Sequence, residues 1–491
     1  MQLTRRNFMA GAALTLGVPS LFAHEAGSAP APFGALPSAN QLAWHRLETY
    51  AFLHFTVNTF TDREWGHGDE DPSIFQPSDF DADAIVEDLQ RAGMKAVILT
   101  CKHHDGFCLW PTATTEHCIR NSSWRGGKGD VVREISEAAR RHGLKFGVYV
   151  SPWDRNNLHY AQPEYLDTYH AQITELLTNY GPVFEVWFDG ANGGDGYYGG
   201  AREKRSIDKN YYEWPKIFAL VHRLQLEAVI FQEGGDIRWV GNEKGFAGET
   251  CWATYSISTA KDDMHASADG RDTLTTGTRL GDRWMPAECD VSIRPGWFYH
   301  AQEDAAVRTA DNLLNLYFES VGRGASLLLN FPPDRRGRIG QKDAAAAQEF
   351  HQRLESLFRR NLAAEATLRC SNVRGRSQRY GAHALVDGDW TTYWATDDAV
   401  HTPEVVAEFH APVDVGVVRL REAIALGQRI GAVEVDAWQQ GSWITVGKAA
   451  SIGACRLIRL DNPVQTQRLR LRITDSPVAV ALSELGVYPA I

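Results

Sequence analysis

The run Phe184-Glu185-Val186-Trp187-Phe188 ends in a carboxylate and a glycine, Asp189-Gly190. Apolar, aromatic and β-branched residues bounded by turn formers predict a short buried strand. α/β proteins place their chemistry at the C-terminal tips of such strands. A second tip lies upstream, where Val97-Ile98-Leu99-Thr100-Cys101 runs into Lys102-His103-His104-Asp105-Gly106-Phe107. Together the two tips point to a barrel enzyme with a polar, carboxylate-centred pocket.

A short carboxylate on a rigid strand tip suits a nucleophile, and Trp187, two residues back, points to the same face. The alternative is an Asp that caps the following turn. His103 and His104 can be read as substrate hydrogen-bonding groups, as metal ligands or as packed core histidines. No third metal ligand has convincing spacing, and imidazoles suit ring hydroxyls. Glu64-Trp65 sets an acid beside a flat ring in a loop that continues through Gly66 and Gly68. Hydrolysis of a glycosidic bond needs two carboxyl groups at one site. Glu233, Asp236, Glu243 and Glu288 are the candidates for the second, and spacing does not choose among them.

Elements of the right kind surround these residues. Residues 83–92, 130–142, 165–179 and 212–224 carry apolar side chains at helical spacing, with Gly93 and Gly143 closing the first two. Strands are expected at 95–100, 145–150, 184–189 and 228–231, so helix and strand alternate, as in a parallel sheet. No glycine-rich phosphate fingerprint follows any strand, and polar residues cluster after each one. Both points favour an α/β chain built as a (β/α)8-like, TIM-type barrel over a doubly wound sheet. A strand at 325–331 and a helix at 342–358 would complete this domain, placed at residues 37–362. Beyond about 365 short alternating runs separated by turns replace helical periodicity, the texture of a β-sandwich over 365–491. The join at 359–366 is helical and charged, so the sandwich is expected to pack against the barrel.

At 491 residues the chain can hold two or three domains. A formal net charge of -11 argues against a nucleic-acid partner, which needs clustered Lys and Arg. Fifteen tryptophans and sixteen tyrosines offer flat faces that suit sugar rings as well as large cores. Thr4-Arg5-Arg6-Asn7-Phe8-Met9 and the apolar run 10–23 form a twin-arginine export pattern, so residues 1–26 are read as a signal peptide and the mature protein as periplasmic or secreted. No later stretch reads as transmembrane. Seven cysteines show neither CxxC nor zinc spacing and are expected to be buried thiols.

Taken in order, His54-Phe55, Glu64-Trp65, the Lys102–Phe107 segment, Gly147-Val148-Tyr149-Val150-Ser151 and Val186-Trp187-Phe188-Asp189-Gly190 resemble the α-L-fucosidases of glycoside hydrolase family 29. The resemblance implies a retaining hydrolase that releases terminal α-L-fucose from a fucosylated glycan without a catalytic cofactor. It maps the nucleophile onto Asp189 and fucose-hydroxyl contacts onto His54, Glu64, Trp65, His103 and His104. Tyr149, Trp187 and Arg238 are similar to further sugar-contacting positions. Asp236-Ile237-Arg238-Trp239-Val240-Gly241-Asn242-Glu243 and Ser292-Ile293-Arg294-Pro295-Gly296-Trp297 resemble the α-1,3/4 subgroup. That likeness maps the acid/base onto Glu243 and adds Trp297 to the sugar contacts. Broad or α-1,2 preference is the alternative within enzymes, and a fucose-binding lectin-like protein without turnover is the alternative outside them. The tail resembles discoidin-like domains (carbohydrate-binding module family 32), through Asp387-Gly388-Asp389, Thr392-Tyr393-Trp394 and Ser483-Glu484. In those domains oxygens near Asp387, Asp389, Thr392 and Glu484 often hold a structural calcium; the plainer reading is a hairpin turn.

Overall fold

The computed structural model describes residues 27–257 and 273–490; the twin-arginine segment lies outside the described residues. Eight parallel strands form one sheet. They are β1 (Thr49–Leu53), β2 (Ala96–Lys102), β3 (Lys145–Val150), β4 (Glu185–Trp187), β5 (Val229–Phe231), β6 (Arg238–Trp239), β7 (Ala287–Ser292) and β8 (Ser326–Asn330). The strand order is β5-β4-β3-β2-β1-β8-β7-β6. A single parallel bridge between Phe231 and Ile237 joins the two edges, giving a TIM-type barrel.

β2 is buried along its whole length because helices cover it outside and aromatic rings cover it inside. The expected helices form at Ala82–Arg91, Val131–Arg141, Pro163–Asn179, Trp214–Leu224 and Gln341–Phe358. Asp81 and Asp130 cap the first two by accepting from Ala84 N and Arg133 N. Gly93 and Gly143 follow these helices at φ 77° and 74°, the left-handed geometry that ends them. Strand alternation then sorts the side chains. Val97, Leu99, Val148 and Val186 pack outward with the helices, while Tyr50, Phe52, Tyr149, Trp187 and Phe231 fill the lumen.

The C-terminal domain is an antiparallel sandwich of seven strands. Of its two long strands, Glu404–Glu422 merges two runs that the sequence pattern separates, and Arg456–Asp475 extends well ahead of the run expected at 468–473. The register of Glu404–Glu422 slips between Glu408 and Val413 and between Val415 and Val417, so the chain bends without leaving the ladder. The sandwich packs on the barrel through buried charge: Arg421 bonds Glu48 Oε1 (2.6 Å), next to β1, and Glu484 Oε2 (2.8 Å) within its own domain. Extended residues ahead of the barrel strap the two together, with Arg374 Nε on Ser28 O (2.6 Å) and Arg429 Nη2 on Ala31 O (2.9 Å).

These contacts correct the calcium expectation. Glu484 is held by Arg419 (2.6 Å) and Arg421 (2.8 Å), and the Arg421 guanidinium lies 4.0 Å over the Trp390 ring. A carboxylate already neutralised by two cations is a poor ligand for a third. Asp387 Oδ2 accepts from Thr392 Oγ1 (2.6 Å) and Asp389 Oδ1 from Thr391 N (2.8 Å), the bonding of an exposed turn. Among the described residues no group of three or more His, Cys, Asp or Glu side chains could hold a metal. All seven cysteines are free thiols, six of them buried. No described helix is long and apolar enough to cross a membrane.

Candidate active site

A pocket of about 330 Å³ opens at the C-terminal ends of the barrel strands. All the residues singled out as catalytic or sugar-binding lie in its wall: His54, Glu64, Trp65, His103, His104, Tyr149, Trp187, Asp189, Arg238, Glu243 and Trp297.

Asp189 follows β4 after Phe188. Its Oδ2 accepts from the Tyr149 hydroxyl (2.8 Å) and its Oδ1 from Ala191 N (2.7 Å), so the carboxylate is held from both sides. Tyr149 and Phe231 flank the Trp187 ring, at 5.2 Å and 4.1 Å, and fix the floor beneath it. Burial, and then the Asp189 charge, push the Tyr149 hydroxyl well above its ordinary pKa, so it stays a donor.

The histidines are held by partners that also set their tautomers. Asn330 Nδ2 donates to Trp297 O (2.8 Å), which makes Oδ1 the acceptor. That oxygen receives His54 N (3.2 Å) and His54 Nδ1 (2.9 Å), so Nε2 of His54 keeps its lone pair. Ser151 Oγ donates to Trp153 O and accepts from His104 Nδ1 (2.7 Å). The bare Nε2 of His104 then lies 3.8 Å from Asp189 Oδ2, two acceptors placed to share a hydroxyl donor. His103 Nδ1 faces Asn58 Nδ2 (3.4 Å). Burial lowers the pKa of all three, to about 4 for His54. Neutral imidazoles at this density recognise hydroxyls instead of attracting anions.

The motif lysine does different work. β2 slips register between Thr100 and Lys102, setting an extra residue against Val150. Lys102 thereby turns outward to Tyr165 OH (3.0 Å) and Gln172 Oε1 (2.8 Å), and His103 follows on the pocket side.

Opposite Asp189, Glu243 Oε2 accepts from Trp297 Nε1 (3.2 Å). Burial raises the Glu243 pKa; the Trp297 hydrogen bond opposes the rise, and the Asp189 and Glu64 charges add to it, a direction that suits a general acid. Of the other second-carboxyl candidates, Glu233 lines the pocket. Glu288 does not: it is fully buried below the pocket, accepting from Trp187 Nε1 (2.7 Å) and bonded to Tyr50. Asp236 accepts from Ile230 N (2.9 Å) at the barrel seam. Arg238 reaches the wall, but its guanidinium turns back to Leu274 O (3.0 Å), Trp252 O (2.9 Å) and Met285 O. Glu64 accepts from Trp297 N (2.8 Å), Phe298 N (3.1 Å) and His300 Nε2 (2.7 Å), while Trp65 stands half exposed at the rim.

Sequence reasoning missed Asn330, Ser151, Asp290 and His300. Asn330 carried a usable signal, a polar residue ending the apolar run Leu327-Leu328-Leu329 just as Asp189 ends its own.

A barrel whose strand tips set carboxyl groups and neutral hydrogen-bonding imidazoles around an aromatic-floored pocket defines a glycoside hydrolase. Residues 34–356 match the alpha-L-fucosidase family and residues 367–485 the F5/8 type C domain. The chain belongs to the alpha-L-fucosidase family. Alpha-L-fucosidase 1 of Arabidopsis thaliana is 40% identical over 465 residues, covering 94% of this chain and 88% of the plant protein. A glycoside hydrolase 29 family member from an unknown rumen bacterium superposes with a TM-score of 0.81 at 40% identity, covering 94% of this chain and 78% of its own. A Ruminococcus gnavus GH29 fucosidase, solved with fucose, gives 0.85 at 32% identity, covering 95% and 97%.

Proposed function

We propose that this alpha-L-fucosidase works by double displacement, with Asp189 as nucleophile and Glu243 as acid/base. Asp189 attacks the anomeric carbon of terminal α-L-fucose while Glu243 protonates the departing glycosidic oxygen. Glu243 then deprotonates a water that attacks the fucosyl-enzyme, releasing fucose with its configuration retained. His54, His103 and His104 present neutral donors and acceptors to the ring hydroxyls, and Trp65 and Trp187 supply flat faces. The observation that carries this reading is the pair of environments. Two donors orient Asp189, while burial raises the pKa of Glu243 against the lowering hydrogen bond from Trp297. Such separated environments divide nucleophile from acid.

The linkage is α-1,3 or α-1,4 in this proposal, because the stretches 236–243 and 292–297 that resemble the regiospecific subgroup meet at the pocket, where Trp297 of the second donates to Glu243 of the first. Export by the twin-arginine route, with action in the periplasm or outside the cell, follows from the pattern at residues 4–23. Release of fucose from a Lewis-type trisaccharide, compared with 2'-fucosyllactose, tests the linkage. Preference for the trisaccharide is expected, and equal or reversed rates would return the enzyme to broad or α-1,2 specificity.

A further inference from the structure

His300 sits outside the pocket wall yet touches the group that organises it. Its Nδ1 lies 2.7 Å from Asp62 Oδ1 and its Nε2 2.7 Å from Glu64 Oε1. Both ring nitrogens therefore face carboxylates, which suits only the doubly protonated ring. Glu64 in turn anchors the turn that carries Trp297, through Trp297 N (2.8 Å) and Phe298 N (3.1 Å). Gly296 at the head of the turn leaves room for this: a Cβ there would lie 2.6 Å from Glu64 Oε1 and 3.0 Å from His300 Cδ2. Trp297 then donates through its indole to Glu243 (3.2 Å).

We propose that His300 is a positioning residue for the general acid, acting as a bridge between Asp62 and Glu64 that locks the 296–298 turn and holds the Trp297 indole against Glu243. It rests on the assignment of Glu243 made above. The electrostatics agree with the geometry. Burial opposes charge on His300, but hydrogen bonds to Asp62 and Glu64 outweigh it and raise its pKa above the ordinary histidine value. The other charged groups around it are Glu303, which accepts from Gly296 N (3.1 Å), and Arg294, which reaches the His300 carbonyl (3.5 Å). The Arg335 charge also acts on Asp62. A raised histidine keeps the clamp closed at low pH and releases it as pH rises through that pKa.

Asp62 is solvent-exposed and forms no part of the pocket wall, so Asp62→Asn weakens the proton on His300 without touching the site. The titration of His300 itself, followed by NMR of its ring protons, is the readout: its midpoint should move to lower pH in Asp62→Asn, and the Trp297 indole N–H resonance should follow it. His300→Gln keeps a donor to Glu64 but no charge. It should lose about tenfold on the oligosaccharide, part of the about 10²–10⁴-fold that a positioned acid supplies, and much less on an activated aryl fucoside, whose leaving group needs no acid. A His300 titration that stays in place in Asp62→Asn, or a Trp297 indole resonance that does not follow it, overturns the proposal, and so does an equal loss on both substrates in His300→Gln. The Glu243 assignment fails by a different result, the absence of azide rescue in Glu243→Ala.

Discussion

The Tyr149 hydroxyl donates a 2.8 Å hydrogen bond to Oδ2 of Asp189, joining the tip of β3 to the tip of β4. Trp187 stacks between them and the lumen, and Ala191 N holds the other oxygen at 2.7 Å. The proposed nucleophile is therefore oriented before any sugar arrives, as a near-attack geometry requires.

Tyr149→Phe removes one of those two donors and leaves the ring. A hydrogen bond to a charged group is worth about 1.5–3 kcal/mol, so kcat on an aryl fucoside should fall about tenfold to a hundredfold. Steady-state kinetics on the variant, with fold checked by circular dichroism, measures this. An unchanged kcat would show that Ala191 N alone holds Asp189.

Glu243→Ala should lose turnover on natural glycans by about 10²–10⁴-fold, while an aryl fucoside still forms the fucosyl-enzyme and stalls there. Azide needs no base, so it should restore turnover and yield α-fucosyl azide, the product of two inversions. In the wild type, activity on natural glycans should fall as pH rises through the Glu243 pKa, above the ordinary Glu value because of burial. Azide rescue of Glu233→Ala in place of Glu243→Ala would move the acid/base to the other pocket-lining glutamate.

Glu185 and Glu288 share the barrel lumen beneath Trp187, and burial raises both pKa values. A raised carboxyl stabilises the fold below the unfolded-state value and loses that contribution as pH rises toward the folded-state pKa. Glu185→Gln cannot ionise, so Tm should fall less between pH 4.5 and 8 in the variant than in the wild type. Calorimetry across that range decides it, and parallel Tm curves would mean that the pair does not govern the pH dependence.

Arg421 bonds Glu48 of the barrel and Glu484 of the sandwich. Arg421→Met leaves Glu48 without its hydrogen-bonded cation and Glu484 with Arg419 alone, at a cost of up to about 3–5 kcal/mol. A Tm lower by several degrees is expected, with kcat on an aryl fucoside unchanged at 25 °C because the junction lies at the opposite end of the barrel from the pocket. An unchanged Tm would show that water or Arg419 compensates the charges.

Much of this was legible in the chain because the barrel's outer layer obeys simple periodicity. Val97 to Thr100 and Lys145 to Val150 read as strands since helices and lumen bury both faces. β7 did not: Ala287-Glu288-Cys289-Asp290-Val291-Ser292 puts Glu288 and Asp290 into the lumen, where Tyr50 and Trp187 meet the first and Trp239 the second. A strand whose inward side chains are carboxyls has no hydrophobic signature. β6 is two residues long and leaves no pattern at all. At the site, strand-tip residues such as Asp189 and His103 stood out, whereas His300 and Asn330 act through contacts 236 and 276 residues away in sequence. Glu484 misled because the sequence does not show the two arginines, Arg419 and Arg421, that the neighbouring strand Glu404–Glu422 brings to it.

In the proposed mechanism Asp189 forms the covalent bond to fucose. A 2-deoxy-2-fluoro-fucosyl fluoride slows both steps by destabilising the oxocarbenium-like transition state, while its good leaving group lets the first step proceed. Incubation, proteolysis and mass spectrometry should locate one fluorofucosyl group on the peptide containing Asp189, with fragmentation placing it on that side chain, and none in Asp189→Ala. A label on Glu233, Glu243 or Asp290, or inactivation without any covalent adduct, would contradict the account.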